Sequence, residues 1–142
     1  MARPLKISLT RRYRFAASHR LHSAKFSEEE NRRLYGKCSN PHGHGHNYVV
    51  EVTVSGPVDQ ATGMIANLAD LDPFVHREIV EAFDCRYLNE EVAAFRDSVP
   101  TTENLVSEIY RRLRGFPKAR LERVLVEETS NNRFEITQEV TQ

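Results

Sequence analysis

Two segments of the chain alternate apolar and polar side chains with a period of two, and that alternation limits most of what it can become. In the first, Ile7, Leu9, Tyr13 and Phe15 share one parity while Lys6, Ser8, Arg12 and Arg14 share the other. In the second, Tyr48, Val50, Val52 and Val54 alternate with Glu51, Thr53 and Ser55 until Gly56-Pro57 ends the run. Successive side chains of a strand point to opposite faces, so each segment makes a strand with one apolar face, the first reaching about His19. Between them, Ser27 and Glu30 stand in capping-box relation and predict a short surface helix. The spacing then changes. Leu71, Phe74, Val75, Ile79, Ala82 and Phe83 fall on one helical stripe, with Asp70 or Asp72 to cap it and Pro73 in its first turn. Pro100-Thr101-Thr102 opens a second stripe, Leu105, Val106, Ile109, Tyr110 and Leu113, closed by Gly115 and Pro117. Two further strands, Leu121 to Glu128 and a run holding Phe134, Ile136 and Val140, are joined by Ser130-Asn131-Asn132. The order ββααββ predicts an α+β fold: an antiparallel four-stranded sheet with two helices on one face.

Composition narrows the class. No repeat or Pro/Gly/Ser linker divides the 142 residues, so one domain over 1–142 is expected, long enough to bury roughly two-thirds of its unfolded surface. Lys plus Arg and Asp plus Glu each number 20, which leaves no overall field to hold nucleic acid or an anionic membrane. The N-terminus lacks the apolar run of a signal peptide, and nothing approaches the roughly 18 apolar residues of a membrane span, so the expectation is a cytoplasmic protein. In a reducing compartment Cys38 and Cys85 are expected as free thiols rather than a disulfide.

The chemistry concentrates in Cys38-Ser39-Asn40-Pro41-His42-Gly43-His44-Gly45-His46-Asn47-Tyr48, which holds half of the six histidines. His44 and His46, two apart, project to the side of Tyr48 and Val50 if the second strand begins there, and His19 shares parity with Tyr13 and Phe15. Three imidazoles can thus converge at the end of a buried sheet face, and three neutral nitrogens with one open position compose a catalytic zinc site. Cys38 as the fourth ligand of a closed structural zinc is the competing reading. His22, His42 and His76 have no evident partner and read as structural or exposed.

Phe15-Ala16-Ala17-Ser18-His19-Arg20-Leu21, Gly36-Lys37-Cys38 with His44-Gly45-His46-Asn47-Tyr48, Thr101-Thr102-Glu103-Asn104 and Glu128-Thr129 together resemble the 6-pyruvoyltetrahydropterin synthase family over nearly the whole chain. The five residues between Cys38 and His44 look like the pyruvoyl-type enzymes; the related 6-carboxytetrahydropterin synthases of queuosine biosynthesis usually have a shorter interval. The resemblance implies the tunnelling fold, a homohexamer of two trimers, and active sites where subunits meet. It implies Zn2+ on His19, His44 and His46, Cys38 as general base, and a pterin triphosphate substrate, 7,8-dihydroneopterin triphosphate. A lyase reaction follows, eliminating triphosphate while hydrogens move between side chain and ring. Glu128 matches the pterin anchor, its carboxylate suited to adjacent N–H donors. Thr101, Thr102 and Glu103 match a further pterin-side segment, and equally suit a helix cap and first turn.

One position departs from the pattern. Where the family usually shows Asp-His after the first long helix, this chain reads Asp84-Cys85. Asp84 can still orient a neighbour, but Cys85 has a reference pKa of about 8.5 against roughly 6.5 for histidine, a poorer proton shuttle at neutral pH. Cys85 replacing the histidine, His42 compensating, and a different outcome on the same substrate all stay open. So does a pterin-binding or structural zinc module that has lost its chemistry.

Overall fold

The computed structural model describes residues 5–138; Val140, expected in the last strand, lies outside them. Strand β1 (Ile7–His19) and strand β2 (His44–Gly56) form one long antiparallel pair in register from Ile7↔Gly56 to His19↔His44. Strands β4 (Arg120–Thr129) and β5 (Asn132–Thr137) extend the sheet antiparallel on the β2 side. A strand of two residues, β3 (Arg86–Tyr87), adds to β1 in parallel, giving the order β3-β1-β2-β4-β5. The sheet therefore has five strands and is mixed, where alternation predicted four antiparallel ones. Two residues carry no readable period, so β3 has no sequence signature of its own.

One sheet face is the core. Tyr48, Val50, Val52 and Val54 are buried with Phe15, Val124 and Val126 against Leu71, Val75, Ile79 and Phe83 from one helix and Leu105, Ile109 and Leu113 from another. The other face carries charge: Glu51 on β2 pairs with Arg12 at 2.6 Å and with Arg123 at 3.3 Å, and Arg123 also holds Glu135 at 2.8 Å. The α+β class and the helices over one face agree with the sequence reading.

Helix α1 (Glu28–Tyr35) starts as its capping box dictates, Ser27 Oγ accepting the Glu30 N–H at 3.1 Å. Helix α2 (Leu68–Val75) continues through a π turn (His76–Val80) to Glu81–Phe83. Its cap is Asn67, whose Oδ1 accepts the Ala69 N–H at 2.9 Å, so neither Asp70 nor Asp72 caps it and Pro73 lies past the first turn. Asp72 is drawn away by β1. Its carboxylate takes the Tyr13 hydroxyl at 2.7 Å and the Arg11 guanidinium at 3.2 and 3.1 Å. A short helix α3 (Leu88–Glu91) follows β3, and helix α4 (Thr102–Leu113) leads into β4.

Candidate metal and substrate site

The β1–β2 register places the histidines. His19 ends β1 directly opposite His44, the first residue of β2, and His46 faces Ala17 on the same side. Gly43 makes the approach possible: its φ is +71°, and a Cβ there would sit 3.0 Å from the His19 carbonyl oxygen and 3.2 Å from the Tyr87 ring. Only glycine meets both demands without strain. The three imidazole rings stand steeply to one another, at 67°, 89° and 90°, with centroids 4.6–5.0 Å apart.

Hydrogen bonding fixes which nitrogens turn inward. His19, 1% exposed, directs Nδ1 at the Pro100 carbonyl, 2.8 Å away. A carbonyl only accepts, so Nδ1 carries the proton and Nε2 is left with a lone pair. That Nε2 lies 3.0 Å from His44 Nε2. The Nε2 of His46 is buried with no hydrogen-bond partner among the described residues. A buried orphan of this kind costs about 1–3 kcal/mol unless something occupies its lone pair. Burial lowers the pKa of His19 and of His46, and neighbouring imidazoles lower both further, against the opposing pull of Glu128 and, for His19, of the Pro100 bond. Both rings are thus neutral at pH 7, the form that binds metal. The three ligand atoms lie within 4.8 Å of one another, and a tetrahedral ion with bonds of about 2.0–2.1 Å spaces its nitrogens roughly 3.4 Å apart. The donor set fits a metal ion.

Cys38 lies half-buried in a 3₁₀ turn (Gly36–Ser39) tied to the end of β1. Its carbonyl accepts the Leu21 N–H at 2.8 Å, and Arg20 Nε donates to the next carbonyl, Ser39, at 3.0 Å. Burial pushes the thiol above its ordinary pKa, and the charge of Glu128 pushes it further. In the chain alone the thiol is therefore protonated at neutral pH, the opposite of the thiolate character expected beside a cation.

Glu128 sits where the β4–β5 register shifts between Glu127 and Thr129, the extra residue of a bulge. Its charge favours the protonated forms of His19, His46, Cys38 and Tyr48. Thr102, 2% exposed, donates its hydroxyl to that carboxylate. The Thr101-Thr102-Glu103 segment divides its labour. Thr101 caps α4 by accepting the Asn104 N–H at 3.2 Å, Thr102 turns inward to Glu128, and Glu103 is exposed in the first turn.

Asp84 and Cys85 lie at the β3 edge of the sheet. Asp84 Oδ1 accepts the Ala16 N–H at 2.9 Å, and the Cys85 N–H donates to the Ala16 carbonyl at 2.6 Å. Cys85 is exposed with φ +58°, a left-handed conformation that costs a residue with a Cβ about 1–2 kcal/mol. It opens on a cavity of 560 Å³ that His46, Arg86, Tyr87 and Glu91 also line, and no hydrogen bond joins either residue to Cys38 among the described residues. His42 and His76 are exposed, and His22 pairs with Glu28 at 3.1 Å. Sequence reasoning missed the Pro100 carbonyl behind His19 and the buried Tyr48 hydroxyl 3.4 Å from His19 Nδ1. Tyr48 was legible as a core aromatic, but nothing in the sequence reports where a backbone carbonyl points.

The family model for 6-pyruvoyl tetrahydropterin synthase matches residues 8–139. The human 6-pyruvoyl tetrahydrobiopterin synthase is 47% identical over 131 residues, 92% of this chain and 90% of its own. The solved structure of the Caenorhabditis elegans 6-pyruvoyl tetrahydropterin synthase superposes with a TM-score of 0.90 at 36% identity, covering 98% of this chain and all of the other. The 6-carboxy-5,6,7,8-tetrahydropterin synthase of Bacillus subtilis is more distant, 32% identical over 88 residues, 60% of this chain and 56% of its own.

Proposed function

The chain belongs to the 6-pyruvoyl tetrahydropterin synthase family, and from that premise we propose that it is a lyase converting 7,8-dihydroneopterin triphosphate to 6-pyruvoyltetrahydropterin. His19, His44 and His46 hold Zn2+ in this reading. When bound, the ion would polarise the substrate's side-chain hydroxyls, and its positive charge would favour the Cys38 thiolate against burial and the Glu128 charge. Glu128 accepts the pterin's adjacent N–H donors, fixed in orientation by the Thr102 hydroxyl. Pairing with those donors also relieves Cys38 of part of an adverse negative charge. Cys38 takes protons from side-chain carbon; one electron pair left behind reduces the pterin ring's C=N bond, to which protons return, and another expels triphosphate by C–O cleavage, so the side chain is oxidised as the ring becomes tetrahydro with no outside reductant. Asp84 and Cys85, which make no hydrogen bond to Cys38 among the described residues, would serve a neighbouring copy in a homohexamer of two trimers.

The observation that carries the proposal is the buried Nε2 of His46, without a partner among the described residues, within a set of three converging imidazoles. Mass spectrometry of zinc-loaded protein incubated with the triphosphate substrate tests it. The expected products are 6-pyruvoyltetrahydropterin and triphosphate, and no turnover at any metal loading or pH would sink the reading. A second outcome has one observation in its favour, the thiol of Cys85 where the family has histidine. A weakened proton relay would divert the substrate to another outcome, seen in the same mass spectra as 6-carboxytetrahydropterin or as a pterin with a cleaved side chain. Pterin bound without release of triphosphate would identify a non-catalytic module.

A further inference from the structure

We infer that Asn104, exposed on the first turn of α4, is a positioning residue for the metal ligand His19. The link runs through two peptide units. Asn104 Nδ2 donates to the Val99 carbonyl at 2.7 Å, and the same oxygen accepts the Thr101 N–H at 2.8 Å. The second bond spans two residues and closes an inverse γ-turn around Pro100, a tight turn held by one bent bond. The Pro100–Thr101 peptide is planar and trans, so its C=O points opposite to its N–H. Once the Thr101 N–H is fixed on Val99, the Pro100 carbonyl is aimed at His19 Nδ1, 2.8 Å away. That bond sets the tautomer and tilt of the ring that offers Nε2 to the metal. The Asn104 amide anchors the oxygen on which the turn closes, and its own N–H rests on Thr101 Oγ1 at 3.2 Å, so the asparagine grips the corner at both ends. The same segment places Thr102 on Glu128, so pterin anchor and metal ligand share one support.

This inference rests on the metal site proposed above, and the test separates the two. Co2+ is titrated into the metal-free protein by its visible absorption, with thermal melting in parallel, for the parent, Asn104→Asp, Asn104→Ala and Ser107→Ala. Asn104→Asp keeps size and puts a carboxylate in the first turn of α4, where the helix dipole favours it, so the fold is retained while the donor is lost. Both Asn104 variants are expected to bind Co2+ about tenfold more weakly, the low end for loss of an outer-shell partner, with an altered ligand-field spectrum. Ser107→Ala, one turn along the same helix, keeps the parent affinity. Asn104→Asp within twofold of the parent, or an affinity loss in Ala that merely follows a fallen melting temperature while Asp binds normally, overturns the inference. A parent that takes up no Co2+ sinks the metal reading, and this one with it.

Discussion

Replacing Glu128 by glutamine tests the substrate end of the site in two independent ways. Among the described residues the carboxylate has one buried donor, the Thr102 hydroxyl, and in the proposed complex it gains two more from the pterin. Glutamine keeps one acceptor oxygen, which a rotating hydroxyl can follow, but sets an NH2 against a pterin N–H. At least one hydrogen bond to a charged acceptor is lost, about 1.5–3 kcal/mol, which is roughly a 10- to 150-fold weaker binding of pterin. Fluorescence titration with neopterin measures it. The second readout is Cys38. Burial is the larger cause of its raised pKa and is untouched, but the Glu128 charge, the other cause, disappears. A negative neighbour disfavours thiolate, so its removal moves the alkylation-rate profile of Cys38 to lower pH, measured with iodoacetamide in a Cys85→Ser background. Unchanged neopterin affinity would refute Glu128 as the anchor, and an alkylation profile that stayed put would refute its electrostatic coupling to Cys38.

Cys38→Ala is expected to keep bound metal, by elemental analysis of dialysed protein, while turnover falls below detection; loss of metal would make the cysteine a structural ligand instead. Gly43→Ala forces a Cβ into a left-handed position 3.0 Å from the His19 carbonyl oxygen, with an expected cost of about 1–2 kcal/mol in denaturant melts and weaker metal uptake. Glu108, its side chain 10% exposed, would have its pKa raised by burial, but hydrogen bonds from Arg111 and Arg112 win and hold it below the ordinary 4.5. A depressed carboxyl contributes stability that is full above its unfolded value and lost as pH falls through the folded one. Glu108→Gln should therefore melt earlier at pH 7, by about 1 kcal/mol, with the gap closing below pH 4.5; a gap that persists in acid would assign the loss to packing.

Much of this molecule was written in local pattern. The alternation in Ile7–Phe15 and Tyr48–Ser55 produced β1 and β2, and the stripes ending at Phe83 and Leu113 produced the two helices of the core, because removing one apolar face from water is the strongest force acting on each of these elements. The histidine pair two apart on β2, with His19 sharing parity on β1, was enough to expect three imidazoles on one face. Ser27 was legible as a cap because its partner Glu30 lies three residues on, in the same short stretch of chain.

What the sequence could not decide are the interactions whose partners lie far apart along the chain or reside in the backbone. Strand β3 exists because Asp84 and Cys85 bond to Ala16, some seventy residues earlier, and not because of any property of Arg86 and Tyr87. Asp72 was a plausible cap until Tyr13 and Arg11 claimed its carboxylate, leaving Asn67 to start α2. Thr101, Thr102 and Glu103 read alike as a cap or a binding segment; only packing of α4 against β4 turns Thr102, and not its neighbours, toward Glu128. The family motifs nominated the residues of the site, but which imidazole nitrogen faces inward was decided by the carbonyl of Pro100, a group every residue carries and no side-chain pattern reveals.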